Sequence, residues 1–260
     1  MNRLQQTMIR CAKQKEKALA CFLTSGYPTP EELLPLLGAI EKGGADIIEL
    51  GMPFSDPMAD GPVIQLSSHV ALQQGVTLDW ILLQVVLIRQ RSNIPIVLMG
   101  YLNPILAFGV NKFFNTAARA GVDGIILPEL PLEEQDRFAD LINDSKLSNI
   151  LLVTPTTPAE RIALIDRRSS GFLYCVSTAG VTGSKKKKID INYVKKVKSA
   201  AKKNPVLVGF GISTAEDARR AVRNADGVIV GSALIELIGK GKSLSVIESF
   251  VRGIKNGMQT

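Results

Sequence analysis

Eight short, apolar, β-rich runs recur along the chain, and a stretch of helical periodicity follows each of them. The runs are ALACFLT (18–24), ADIIELG (45–51), IPIVLMG (94–100), DGIILPE (123–129), NILLVTP (149–155), GFLYCVS (171–177), PVLVGFG (205–211) and DGVIVGS (226–232). Their apolar residues fall on consecutive positions instead of alternating, the pattern of parallel strands covered on both faces. Helix-start signals sit between them: Thr29-Pro30-Glu31-Glu32, Thr157-Pro158-Ala159-Glu160, and a capping box read over Ser213-Thr214-Ala215-Glu216. Eight alternating β and α units in 260 residues predict an α/β fold, a single (β/α)8 TIM-barrel domain over 1–260. No linker or composition shift marks a second domain.

Two loops stand out from this rhythm. The second and third runs begin 49 residues apart, at Ala45 and Ile94, and the excess starts with GMPFSDPMADGP, too long for a minimal βα turn. The sixth run leads into the polar loop STAGVTGSKKKKID. Both extended loops follow a strand directly, which in a barrel places them at the C-terminal mouth where active sites are built.

Composition excludes several function classes. Apolar residues make up 46% of the chain and charged residues 21%, enough for a full core and too little charge for disorder. The longest apolar stretch, 80–88, is interrupted by Gln84 and falls far short of the roughly 20 residues of a membrane span. The polar N-terminus does not read as a secretory signal. Cys11, Cys21 and Cys175 are widely spaced and odd in number, which argues against a disulfide framework and for a reducing, cytoplasmic setting. His69 is the only histidine, so a zinc cluster is not expected and His69 reads as structural. The net charge of +7 is concentrated between Lys185 and Lys203, where nine lysines face Asp190 alone. Only Tyr193 interrupts that tract, so it reads as a solvated face that at most attracts an anionic substrate, not as a nucleic-acid groove.

Glu49 carries the strongest chemical signal, because it stands inside the apolar run Ile47-Ile48-Glu49-Leu50. A carboxylate there is costly unless paired or used. In a barrel its side chain points either into the mouth or toward the helices, and desolvation raises its pKa into the range useful for proton transfer. Asp56 and Asp60 follow in the next loop, and two carboxyls in different environments can divide acid and base roles. Gly209-Phe210-Gly211-Ile212-Ser213 and Gly231-Ser232 follow the seventh and eighth runs, where glycine turns and helix N-termini accept a phosphate. No run contains a lysine, which disfavours a Schiff-base aldolase. The single histidine disfavours a metal-dependent one. Carbon–carbon chemistry therefore needs an electron sink in the substrate itself.

The stretch Ile48-Glu49-Leu50-Gly51-Met52-Pro53-Phe54-Ser55-Asp56-Pro57-Met58-Ala59-Asp60-Gly61 resembles the signature of the tryptophan synthase alpha chain family. Phe22-Leu23-Thr24-Ser25-Gly26-Tyr27-Pro28, Tyr101-Leu102-Asn103-Pro104, Gly180-Val181-Thr182-Gly183 and the Gly209–Ser213 turn extend the resemblance over nearly the whole length. The resemblance implies retro-aldol cleavage of indole-3-glycerol phosphate to indole and glyceraldehyde 3-phosphate, a lyase step in tryptophan biosynthesis. It implies no metal and no cofactor in this chain.

By the same resemblance Glu49 is the general acid/base and Asp60 stabilises the indole N–H, with Tyr174 assisting. Phe22 and Ile64 line the indole pocket. Thr182 reaches Asp60 when the sixth loop closes, and Gly183, Phe210, Gly211, Gly231 and Ser232 form the phosphate subsite. Pro53, Asp56, Pro57, Asn103 and Pro104 match positions facing a beta chain that carries pyridoxal phosphate, in a heterotetramer of two alpha and two beta chains. Two features depart from the family pattern: Glu129 stands where the family usually has Asp, and four lysines occupy 185–188. A different phosphate-binding barrel, and a subunit that only activates its partner, are the competing readings.

Overall fold

The computed structural model describes residues 1–177 and 189–259. Among them, nine strands form one parallel sheet: β1 (Ala18–Thr24), β2 (Ile47–Gly51), β3 (Ile96–Met99), β4 (Gly124–Ile126), β5 (Ser148–Asn149), β6 (Leu151–Val153), β7 (Leu173–Val176), β8 (Val206–Gly209) and β9 (Gly227–Val230). Around it lie the helices α1 (Arg3–Gln14), α2 (Leu33–Lys42), α3 (Pro62–Gln73), α4 (Leu78–Arg89), α5 (Leu102–Phe108), α6 (Val110–Ala120), α7 (Ala139–Ser145), α8 (Ala159–Arg168), α9 (Ile191–Ala200), α10 (Ala215–Val222), α11 (Ser232–Gly239) and α12 (Leu244–Gly257). The sheet order is β5-β4-β3-β2-β1-β9-β8-β7-β6.

Its two ends, β5 and β6, are separated only by Ile150, so the chain itself completes a TIM barrel. The fifth of the eight expected runs thus supplies two strand segments. Asn149 and Leu151 donate their N–H groups to the hydroxyls of Ser170 and Ser169 at 2.9 and 3.2 Å, which interrupts the backbone ladder at this point. The long interval between the second and third runs holds residues 52–61 and then two helices, α3 and α4.

Two apolar layers divide the side chains by strand face. Ala18, Ala20, Ile47, Val97, Ile126, Ile150, Phe172, Tyr174, Leu207 and Ile229 pack together inside the barrel. The residues between them, such as Leu19, Cys21, Ile48, Leu50, Ile96 and Leu98, pack outward with the helices. Burial on both sides explains why the apolar residues of the runs fall on consecutive positions.

The N-terminal end of the barrel is plugged by α1, a helix that the polar opening segment conceals. Its Leu4, Met8 and Cys11 join the interior cluster, while its remaining side chains face outward or toward the rim. Asn2 and Gln5 form a capping box. The Asn2 side chain also donates to the Asp123 carbonyl at 2.7 Å, stitching the plug to β4's entry. Leu4 is fully buried; Leu4→Ala is expected to cost about 3 kcal/mol of stability, read as a lower denaturation midpoint in urea.

The capping box of α10 lies one residue further on than its sequence pattern suggests. Thr214, not Ser213, is the N-cap, and Asp217 completes the box. Its Oδ2 accepts from the N–H and hydroxyl of both Ser213 and Thr214 at 2.8–3.1 Å. Glu216 turns outward to Arg219.

Candidate active site

Glu49 faces the inside of the barrel. Ile47 belongs to the interior cluster, and strand side chains alternate, so Glu49, two residues on, occupies the next layer toward the C-terminal mouth. It lies in register with Phe22 of β1 and Val97 of β3. The side chain is fully buried, and neither Oε atom has a hydrogen-bond partner among the described residues. Loss of water therefore acts on the carboxyl uncompensated and pushes its pKa up to about 8. Glu49 holds a proton at neutral pH.

Asp60 sits in the loop between β2 and α3, half-buried. The Tyr101 hydroxyl donates to its Oδ2 at 3.0 Å and accepts the Ala59 N–H at 2.9 Å, so one phenol ties the carboxylate and the loop backbone to the end of β3. Phe54 packs on the same ring, with centroids 5.2 Å apart. Burial raises the Asp60 pKa to about 6, the Tyr101 hydrogen bond opposes this, and the Glu129 charge adds to it. Asp60 is thus ionised in the pH range where Glu49 is still protonated.

Tyr174 of β7 is buried in the same interior. Burial, then the charges of Glu49 and Asp60, push its phenol well above the usual range, so all three groups share one mouth and Tyr174 stays protonated. Its ring presses against β8: a Cβ on Gly209 would lie 2.4 Å from it, so only glycine fits there. Phe210 meets the ring edge-on. Phe22 and Ile64 are buried at 8% and 5% exposure, the first on β1 and the second in the first turn of α3.

The turn after β8 and the start of α11 form the other wall. Phe210 and Gly211 have φ of 72° and 77°, and Gly211 is exposed. Helix α11 begins at Ser232 after Gly231 without a side-chain cap, leaving its first N–H groups for an anion. The N-terminus of α10 differs, since Asp217 already occupies it. Thr182, Gly183 and the lysines at 185–188 lie outside the described residues.

Of the positions expected to face a partner, Asp56 and Asn103 are exposed and Pro104 is half-buried, while Pro53 and Pro57 are buried in this chain. Met58 and Leu106, next to them in sequence, are 86% and 50% exposed. His69 is exposed on α3, and among the described residues no His, Cys, Asp and Glu cluster could hold a metal ion. Among them too, no single helix is long and apolar enough to cross a membrane.

Three residues of this mouth escaped assignment from sequence. Tyr101 follows the glycine that ends the third run, just past β3, yet nothing in the sequence pairs it with Asp60. Glu129, one methylene longer than Asp, accepts the Leu102 N–H at the start of α5. Ser177, at the end of β7, hydrogen-bonds across to the next strand.

Known proteins resemble the chain in both sequence and shape. The sequence profile of the tryptophan synthase alpha chain family matches residues 8–256. The tryptophan synthase alpha chain of Geotalea uraniireducens is 45% identical over 100% of this chain and 98% of its own length. Tryptophan synthase of Saccharomyces cerevisiae is also 45% identical over 98% of this chain, which spans only 37% of that longer polypeptide. The crystal structure of tryptophan synthase subunit alpha from Legionella pneumophila superposes with a TM-score of 0.90 at 38% identity, covering 100% of this chain and 99% of the other. With a barrel of the same shape, a profile match over almost all its residues and full-length relatives at this identity, the chain belongs to the tryptophan synthase alpha chain family.

Proposed function

We propose that this chain cleaves indole-3-glycerol phosphate to indole and glyceraldehyde 3-phosphate, with Glu49 as acid/base and Asp60 as the charge stabiliser. The observation that carries the reading is the pair of carboxyls whose surroundings separate their pKa values, one neutral and one ionised at pH 7. The neutral Glu49 carboxyl gives its proton to ring carbon 3 of the indole. The resulting indolenine is cationic at nitrogen, and the Asp60 carboxylate stabilises its N–H. The side-chain carbon–carbon bond then breaks, its electron pair returning to the ring, while the Glu49 carboxylate takes the proton of the adjacent hydroxyl. Glu49 ends as it began, protonated, and neither a metal nor an electron carrier takes part.

Tyr174 assists in positioning, Phe22 and Ile64 line the indole pocket, and Gly183, Phe210, Gly211, Gly231 and Ser232 hold the phosphate. The partner is a beta chain bearing pyridoxal phosphate, in a heterotetramer, docked where Met58 and Leu106 expose apolar surface beside Asp56, Asn103 and Pro104. The much longer yeast relative, which contains a segment equivalent to this chain, agrees with such a pairing. Three buried, unpaired cysteines favour a reducing cytoplasm.

Indole release by the purified chain, with and without a tryptophan synthase beta chain, tests the reading. Asp60→Asn is expected to lower the rate at least about a hundredfold. A mild loss would instead favour a phosphate-binding barrel that needs no contact to an indole nitrogen. Beta-chain activation without any cleavage would mark a purely regulatory subunit.

A further inference from the structure

Ser177, the residue that follows β7, is completely buried and has no place in the chemistry above. Its Oγ lies 3.0 Å from the Gly209 carbonyl oxygen and 2.8 Å from that of Phe210, and its N–H donates to the Gly209 carbonyl at 3.2 Å. Its own carbonyl accepts the Asp190 N–H at 3.1 Å, just ahead of α9. Ser177 is therefore held from one side by α9's entry and grips the turn after β8 on the other.

That grip has a directional consequence. In a planar trans peptide the C=O and the N–H point in opposite directions, so anchoring the Phe210 carbonyl aims the Gly211 N–H away from Ser177. Phe210 holds a left-handed φ of 72°, which a residue with a Cβ rarely adopts without outside support. No described group accepts from the Gly211 N–H. The N–H groups of Ser213 and Thr214, which the turn would otherwise offer to an anion, are consumed by Asp217.

We propose that Ser177 is the positioning residue of the phosphate subsite, clamping the Gly209 and Phe210 carbonyls so that the Gly211 N–H is presented to the phosphate of the substrate. The proposal rests on the phosphate-ester reading above and adds to it a side chain that never touches the ligand. It explains why a serine stands at a wholly buried strand end.

Calorimetric titration with inorganic phosphate and with glycerol 3-phosphate, alongside steady-state cleavage, separates the two ideas. Ser177→Ala is expected to weaken both ligands about tenfold and to raise KM by a similar factor, with kcat changed less than about twofold. Ser177→Thr, which keeps the hydroxyl, is expected to restore most of that affinity. A Ser177→Ala chain that melts earlier but binds phosphate as tightly as the unaltered chain would overturn the clamp and leave the phosphate reading standing. An unaltered chain that binds neither ligand would overturn both.

Discussion

Glu49→Gln is expected to reduce indole release by at least about a hundredfold, with or without a beta chain, while leaving the fold and partner binding intact. Glutamine matches the shape of the protonated carboxyl but has no proton to give carbon 3 and cannot take one from the hydroxyl. The unaltered chain should show a bell-shaped pH dependence of kcat/KM. Its acid limb reflects Asp60, which must lose a proton near pH 6 to stabilise the indole cation. Its alkaline limb reflects Glu49, which must keep a proton up to about pH 8. Besides burial, Asp60 feels the Tyr101 hydroxyl and the Glu129 charge. Tyr101→Phe removes the one hydrogen bond that lowers the Asp60 pKa, so the acid limb should move to higher pH. Undiminished cleavage in Glu49→Gln would remove Glu49 from its role.

The same substitution is expected to stabilise the chain in alkaline solution. The folded Glu49 pKa of about 8 lies above the ordinary value of 4.5. Between those limits the native state keeps a proton that the unfolded state releases, so stability falls as pH rises from 4.5 to 8. The full span corresponds to about 4–5 kcal/mol, reduced wherever the site relaxes around the charge. Glutamine carries no such penalty. Urea unfolding should therefore show Glu49→Gln more stable by a few kcal/mol at pH 8.5 and nearly equal to the unaltered chain at pH 4.5. Equal stabilities at both pH values would mean that the carboxylate finds solvation in the folded state. The candidate site thus holds a group that the fold would be more stable without, which agrees with the proposed use of a neutral carboxyl in catalysis.

Strand position was legible because a parallel strand buried on both faces leaves a continuous apolar trace, which is how β1, β2 and β9 coincide with their runs, whereas the split of the fifth run into β5 and β6 left no such trace. The plug helix was not. Leu4, Met8 and Cys11 recur at helical spacing, but the surrounding charge makes the segment read as a polar terminus, and only an open barrel end requires three apolar side chains there. The α10 cap slipped by one residue because Ser213 and Thr214 both fit the pattern, and the reach of Asp217 decided between them.

The candidate site divides along the same line. Sequence by itself determined that the chain forms eight β/α units, that Glu49 is a carboxyl embedded in an apolar strand, and that glycine turns close the seventh and eighth units. These are local properties, written in consecutive residues. The tertiary structure alone decided that Glu49 points into the barrel with both oxygens unpartnered among the described residues, that Tyr101 from the loop after one strand orients Asp60 from the loop after another, and that Ser177 grips the turn beside it. Burial and hydrogen bonding between residues 32 to 41 positions apart depend on which strands become neighbours when the ring closes, and no local pattern encodes that distance.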